Sequence, residues 1–458
     1  MDSNLIIEKI KSQREHLKYN PLLSVQNRIN ALKLLRTNIK LLEDEIFDAL
    51  KKDLNKSKEE AYMCEVGMVL SEINYMIKHI KKFAKSNRKL SPLAQFPAKS
   101  YSMPVPYGIV LIISPWNYPF MLALEPLVDA ISAGNLAVVK PSGTTKNVQA
   151  VIEKLLKMTF PEQQVLTVMG GRDECDFLLE QEFDYIFFTG SSSVGKMIHQ
   201  KAAQTLTPIT LELGGKSPCI VDETANIQLT ARRLVFGKFM NAGQTCIAPD
   251  YVYCHSSVKD ELIKEIERQI ILQYSTHPLE NDNYPRIINQ KQFDGLVDLL
   301  QNEKVIFGGK FNQNKLKIEP TIIEADWDSI IMQNEIFGPL LPIITFDRLG
   351  DAIENIRMRN KPLALYIFSS SKENQNRAIS TCDFGGGCIN DCIIHLATSR
   401  LGFGGVKQSG MGAYHGKIGF DTFSHYKSIV NKRTWLDLPM RYQPMNKIKY
   451  FFIRRFLK

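Results

Sequence analysis

The feature that most narrows what this chain can become is a series of short β-branched runs, each followed by a polar or helical stretch. GIVLIIS (Gly108 to Ser114), NLAVVK, QVLTVMG, YIFFTG, PITLEL and PCIVDE make a first series, and YVYCH, KVIFGG, IEPTIIE, LPIITF, ALYIFS and GGGCIND a second. Strand–helix–strand alternation predicts parallel sheets covered on both faces. Two series imply two doubly wound α/β lobes, for which 458 residues leave room. Residues 1 to 90 read differently, with Leu and Ile recurring at three and four as in amphipathic helices. From Pro92 to Pro106 the prolines of LSPLAQFPAKSYSMPVP predict an extended arm that is neither helix interior nor central strand.

Composition excludes several classes. With 44% hydrophobic and 23% charged residues the chain is neither disordered nor low-complexity. Eight cysteines are too sparse for a disulfide framework, and no secretory signal pattern opens the chain, so a reduced, cytoplasmic setting is expected. No apolar run reaches the ~18 residues that span a bilayer. The net charge of +9 is unevenly spread: Arg441, Lys447, Lys449, Arg454, Arg455 and Lys458 supply six positives in an acid-free tail, leaving the body near neutral. Neither this cluster nor the seven bases between Ile73 and Leu124 accompanies a recognition module, so no nucleic-acid partner is expected.

Several residues are candidates for chemistry. Gly190 and Gly195 in YIFFTGSSSVGKMI lie between a strand and a helix, where backbone amides and a helix N-terminus can face a phosphate; the G-x-x-x-x-G spacing is neither a Rossmann nor a P-loop fingerprint. Cys246 in FMNAGQTCIAPD occupies a Gly-rich polar bend that can present a sulfur beside free amides, whereas the other seven cysteines sit in apolar or strand-like settings. Glu212 in LELGGKSP ends a strand ahead of two glycines and can act as a base in a cleft or be a solvated surface acid. Asn117 in ISPWNYPF, between Pro115 and Pro119, can donate to an oxyanion or simply serve a turn, and Lys140 ends a strand where it can grip a ribose or phosphate or be solvated. Cys382, Cys388, Cys392 and His395 match no common zinc spacing, so no metal is expected.

Together ISPWNYPF, VVKPSG, FFTGSSSVG, LELGGKSP, NAGQTC, QNEIFGP and FGGVKQSGMG resemble, in order and spacing, the signature segments of the aldehyde dehydrogenase superfamily, with the class 3, fatty-aldehyde-type branch most similar. The resemblance implies a Rossmann-like dinucleotide-binding lobe over 1–82 and 104–211, a catalytic lobe over 212–421, an arm over 83–103 and 422–432 that joins protomers into a homodimer, and a tail over 433–458. It implies Cys246 as nucleophile, Asn117 as oxyanion donor and Glu212 as the base that activates the hydrolytic water. It also implies NAD or NADP bound by Trp116, Lys140, Gly190, Ser191, Gly195, Glu335 and Phe337. Relatives commonly read KPSE where this chain has KPSG; Gly143 removes a carboxylate that would repel a 2′-phosphate, so use of both NAD and NADP is expected. A second departure, LGFGG at Leu401 to Gly405, alters the substrate mouth. Glu212 favours a free acid over a coenzyme A thioester as product, although acylating and semialdehyde-type chemistries, and a scaffold without activity, are the competing readings. The tail interleaves aromatic and basic residues, which suits a helix lying on anionic lipid at the inner membrane face, or a segment packed on the protein. If lipid is its partner, fatty or isoprenoid/carotenoid-type aldehydes are the expected substrates.

Overall fold

The computed structural model describes residues 3–19 and 24–457. The first residues of the dinucleotide-binding segment and Lys458 of the tail lie outside them. The first series of runs becomes β1 (Ile109–Ile113), β2 (Leu136–Lys140), β3 (Val165–Thr167), β4 (Tyr185–Thr189) and β5 (Ile209–Glu212). The second becomes β6 (Pro218–Val221), β7 (Tyr251–His255), β8 (Lys304–Phe307), β9 (Thr321–Glu324), β10 (Leu340–Phe346), β11 (Ala364–Phe368) and β12 (Gly386–Ile389), followed by a short β13 (Gly410–Met411).

Two sheets result. One has the order β13-β5-β4-β1-β2-β3, parallel apart from β13, whose Gly410 pairs antiparallel with Glu212. The other runs β8-β9-β10-β7-β6-β11-β12, parallel apart from β8. Every residue of β1, β2 and β4 is buried, as strands covered by helices on both faces require. In the first sheet the chain runs from β1 out to β3 on one side and then returns to add β4 and β5 on the other. The carboxyl ends of β1 and β4 therefore flank a topological switch point, where open α/β sheets leave a crevice.

The arm is a third sheet: Asn87–Lys89, Ala98–Pro106 and Ser424–Lys432, with Ala98–Pro106 in the middle. This corrects the expectation that the prolines bar a central strand. Asn87–Lys89 pairs only with Ser100 to Ser102, so Pro104 and Pro106 lie beyond it and have a ladder on one side alone. A missing N–H is tolerated there.

The tail folds as a helix, Lys447–Phe456, capped by the Asn446 side chain. Phe452, Ile453 and Phe456 border a cleft against Ala94 and Val430 of the arm and Met440 of the tail itself, while Ile448 and Phe451 stay exposed. Among the described residues no helix is long and apolar enough to cross a membrane.

Candidate active site

The predicted residues gather at the carboxyl edge of the first sheet. Trp116 and Asn117 follow β1, Lys140 ends β2, Gly190 follows β4, and Glu212 ends β5. The Gly190 N–H donates to the Glu212 carbonyl, tying the glycine turn to the acid. Ser191 starts the helix Ser192–Gln204 without a side-chain cap, leaving its first amides free for an anion. A Cβ on Gly195 would stand 2.6 Å from the Leu213 side chain, so glycine permits the close helix–strand approach.

Cys246 is delivered by a different device. After the helix Ile227–Phe239 the chain turns through Asn241, Ala242 and Gly243, all with positive φ. A Cβ on Gly243 would be 2.3 Å from the Gly338 carbonyl oxygen. The cysteine loop thus touches, backbone to backbone, the loop that carries Glu335 and Phe337. Phe337 packs edge-on to Trp116 with centroids 5.3 Å apart, and the Glu335 carboxyl lies over Gly214, where a side chain would be 2.1 Å from its oxygen. The Asn117 amide nitrogen donates to the Gln244 carbonyl at 3.1 Å, and the Tyr118 and Thr245 hydroxyls are 2.6 Å apart, so the Asn117 and Cys246 loops are joined at two points.

Cys246, Glu212 and Thr189 open into a channel of about 230 Å³. Its walls are apolar, with Met63, Met68, Met121 and Met240 among Leu, Ile, Phe and Tyr side chains. On the cofactor side, Lys140, Gly143 and Cys175 border a second cavity together with Arg172, and Glu335 borders a third with Ser192 and Gly214. Cys175 departs from the expectation of seven core thiols: it is only partly buried, because its helix Arg172–Leu178 lies beside this cavity. His255 is bound to Ser257 and the Asp347 carbonyl at the surface, so it offers Cys246 no base. No metal-holding cluster occurs among the described residues.

A family model, "Aldehyde dehydrogenase family", matches residues 2–429. The chain belongs to the aldehyde dehydrogenase family. It is 45% identical to the 4,4'-diaponeurosporen-aldehyde dehydrogenase of Staphylococcus aureus (strain NCTC 8325 / PS 47) across 99% of this chain and 100% of that one. It is 42% identical to aldehyde dehydrogenase family 3 member A2 of Rattus norvegicus, covering 92% and 86%, in keeping with the class 3 branch. A solved structure described as the substrate-bound state of Staphylococcus aureus AldH superposes with a TM-score of 0.97 at 45% identity over 99% of both chains. The chain is thus an oxidoreductase acting on aldehydes with a nicotinamide dinucleotide.

In this aldehyde dehydrogenase burial shifts the candidate acids and the candidate thiol towards their neutral forms. Glu212 is buried, neither of its carboxyl oxygens has a partner among the described residues, and desolvation pushes its pKa well up. This excludes the solvated or ion-paired surface acid. Burial likewise raises Glu335 to about 8, and burial followed by the nearby Glu335 and Glu212 carboxyls pushes the Cys246 thiol up to about 12, against the opposing pull of the Cys246 and Ile247 amides. Tyr118, Thr245, Arg172 and the channel methionines escaped notice in the sequence, where they form no motif.

The thiolate is the alkylating form. The alkylation rate of the Cys246 peptide by iodoacetamide, followed by mass spectrometry without cofactor, should therefore rise about tenfold per pH unit from pH 7 to 10. A plateau below pH 8 would contradict the buried, acid-flanked thiol.

Proposed function

We propose that this enzyme oxidises a lipophilic aldehyde, fatty or isoprenoid/carotenoid-type, to the carboxylic acid, using either NAD or NADP. The observation that carries the substrate class is the channel behind Cys246, whose walls are apolar and rich in methionine. Such walls give binding energy through buried area, about 0.8 kcal/mol per methylene. The similarity to a diaponeurosporen-aldehyde dehydrogenase and to a class 3 relative supports the same class.

In this reading Cys246 first loses its thiol proton to solvent, and the thiolate sulfur attacks the aldehyde carbon to form a thiohemiacetal anion. The Asn117 amide and the Cys246 N–H donate to the oxyanion. The nicotinamide, when bound, accepts the hydride that leaves this carbon. Cys246 then carries a thioester, and Glu212 takes a proton from the water that hydrolyses it, giving the acid and the free thiol. Because Glu212 must be ionised for this task, turnover should climb with pH through its raised pKa.

Trp116, Lys140, Gly190, Ser191, Gly195, Glu335 and Phe337 would hold the dinucleotide, supported by the uncapped helix at Ser191, the Lys140 ammonium at the end of β2, and the edge-on Trp116–Phe337 pair. Gly143 does more than omit an acid. Its Cβ position is 2.3 Å from the Gly170 carbonyl, so the neighbouring loop fills the space and brings Arg172 to the ribose cavity. A guanidinium there suits a 2′-phosphate. We assign residues 1–82 and 104–211 to dinucleotide binding, 212–421 to catalysis, 83–103 and 422–432 to joining two protomers, and 433–458 to a tail.

A panel of saturated aldehydes tests both points. kcat/KM should rise with length, up to about fourfold per methylene, until the channel is filled, with NAD and NADP within about a hundredfold, or 2.7 kcal/mol, of each other. A flat length profile, a preference for charged semialdehydes, faster NADH release on adding coenzyme A, or a larger cofactor ratio would overturn the corresponding part.

The tail supports a cytoplasmic enzyme lying peripherally at the inner membrane face. Ile448 and Phe451 are exposed on the same short helix as Lys447, Lys449, Arg454 and Arg455, and each base near an anionic surface contributes roughly 1 kcal/mol. The full chain should sediment with anionic vesicles at least tenfold more than a chain ending at Asn446; equal sedimentation would refute the contact.

A further inference from the structure

A buried ion pair grips both ends of the Asn117 loop. Lys56 and Glu65 have fully buried side chains, with Lys56 Nζ 2.5 Å from Glu65 Oε1. The same ammonium donates to the Asn117 carbonyl at 2.9 Å and lies 4.0 Å over the Tyr118 ring. The other Glu65 oxygen accepts the Phe120 and Met121 amides at 2.8 and 3.2 Å, where the helix Met121–Ala133 begins. The cation thus holds a carbonyl at one end of residues 117–121 and the anion holds two amides at the other. Glu65 reaches this position from a single π-helical turn, Tyr62–Val66, closed by the Gly67 N–H on the Tyr62 carbonyl. Such turns recur where a side chain must be re-aimed.

The clamp extends to the cysteine loop. The Asn241 side-chain amide donates to the same Asn117 carbonyl at 2.9 Å and to the Gln244 carbonyl at 3.1 Å, and its backbone N–H donates to Glu60 at 2.9 Å. The Asn117 amide gives one N–H to the Gln244 carbonyl, which leaves its second N–H for another acceptor. Burying two charges is a weak route to stability, since desolvation offsets most of the attraction. What it supplies is direction: four bonds converge on the backbone of the five residues 117–121, which no strand supports.

We infer that Lys56, with Glu65 as its counter-ion, is a positioning residue that fixes the Asn117 amide for the oxyanion formed at Cys246. The inference rests on the proposed roles of Asn117 and Cys246. Removing the cation lets the Asn117 carbonyl, and with it the side chain, leave the geometry in which the second N–H meets the oxyanion.

A double-mutant cycle in the full chain with saturating NAD tests this, read by the single-turnover rate of NADH formation. Lys56→Met should lower that rate 10- to 100-fold while KM for NAD and the alkylation rate of Cys246 change less than twofold. Asn117→Ala should lower it about 100-fold or more, and adding Lys56→Met to Asn117→Ala should change it less than twofold further. If the lone Glu65 carboxylate prevents folding of Lys56→Met, the paired change Lys56→Met with Glu65→Gln carries the same cycle. An undiminished Lys56 effect in the Asn117→Ala background, or equal losses in KM and alkylation, would overturn the positioning role alone. Full activity of Asn117→Ala would remove the oxyanion reading and this inference together.

Discussion

All the chemistry of this molecule depends on one constraint: a parallel sheet delivers successive loops to a single edge. β1, β2, β4 and β5 each end there, and reversal of strand order between β1 and β4 leaves the crevice open at that edge. Asn117, Lys140, Gly190 and Glu212 are consequences of this edge. Cys246 comes from the approach to the second sheet and has to be brought across. The bridge is backbone contact at Gly243 and Gly338, made possible by three consecutive residues at positive φ.

Bringing so many polar groups into one dry cleft raises an electrostatic cost, and the structure meets it by neutralisation. Glu212 and Glu335 are pushed towards their protonated forms and Cys246 towards its thiol. The Lys56–Glu65 pair instead keeps opposite charges together at full burial, and it does so against the backbone of Asn117. The channel beside Cys246 and Glu212 is apolar and walled by methionines, which adapt to shape.

The parallel strands and the two lobes were legible because fully buried parallel strands write themselves as continuous apolar runs, such as Ile109–Ile113. Cys246, Glu212 and Asn117 were legible as residue types in unusual settings, and their family resemblance joined them. Three things escaped. The arm strand Ala98–Pro106 looked barred from a central place, because the shortness of its neighbour at Asn87–Lys89 is a tertiary fact. Cys175 looked like a core thiol, because nothing local says that its helix edges a cavity. Lys56 looked like one lysine among many; its partner Asn117 is 61 residues away, and Asn241 meets the same carbonyl from 124 residues away. Burial without a partner, which marks Glu212, is likewise visible only in three dimensions.

The central claim is that Cys246 carries the acyl group and Glu212 releases it. The most direct measurement is intact-mass and peptide mass spectrometry of Glu212→Gln after reaction with a long-chain aldehyde and NAD. The account predicts one acyl adduct on the Cys246 peptide, two hydrogens lighter than the aldehyde added, accompanied by one equivalent of NADH. An adduct on another residue, or continued turnover with no adduct, would contradict it.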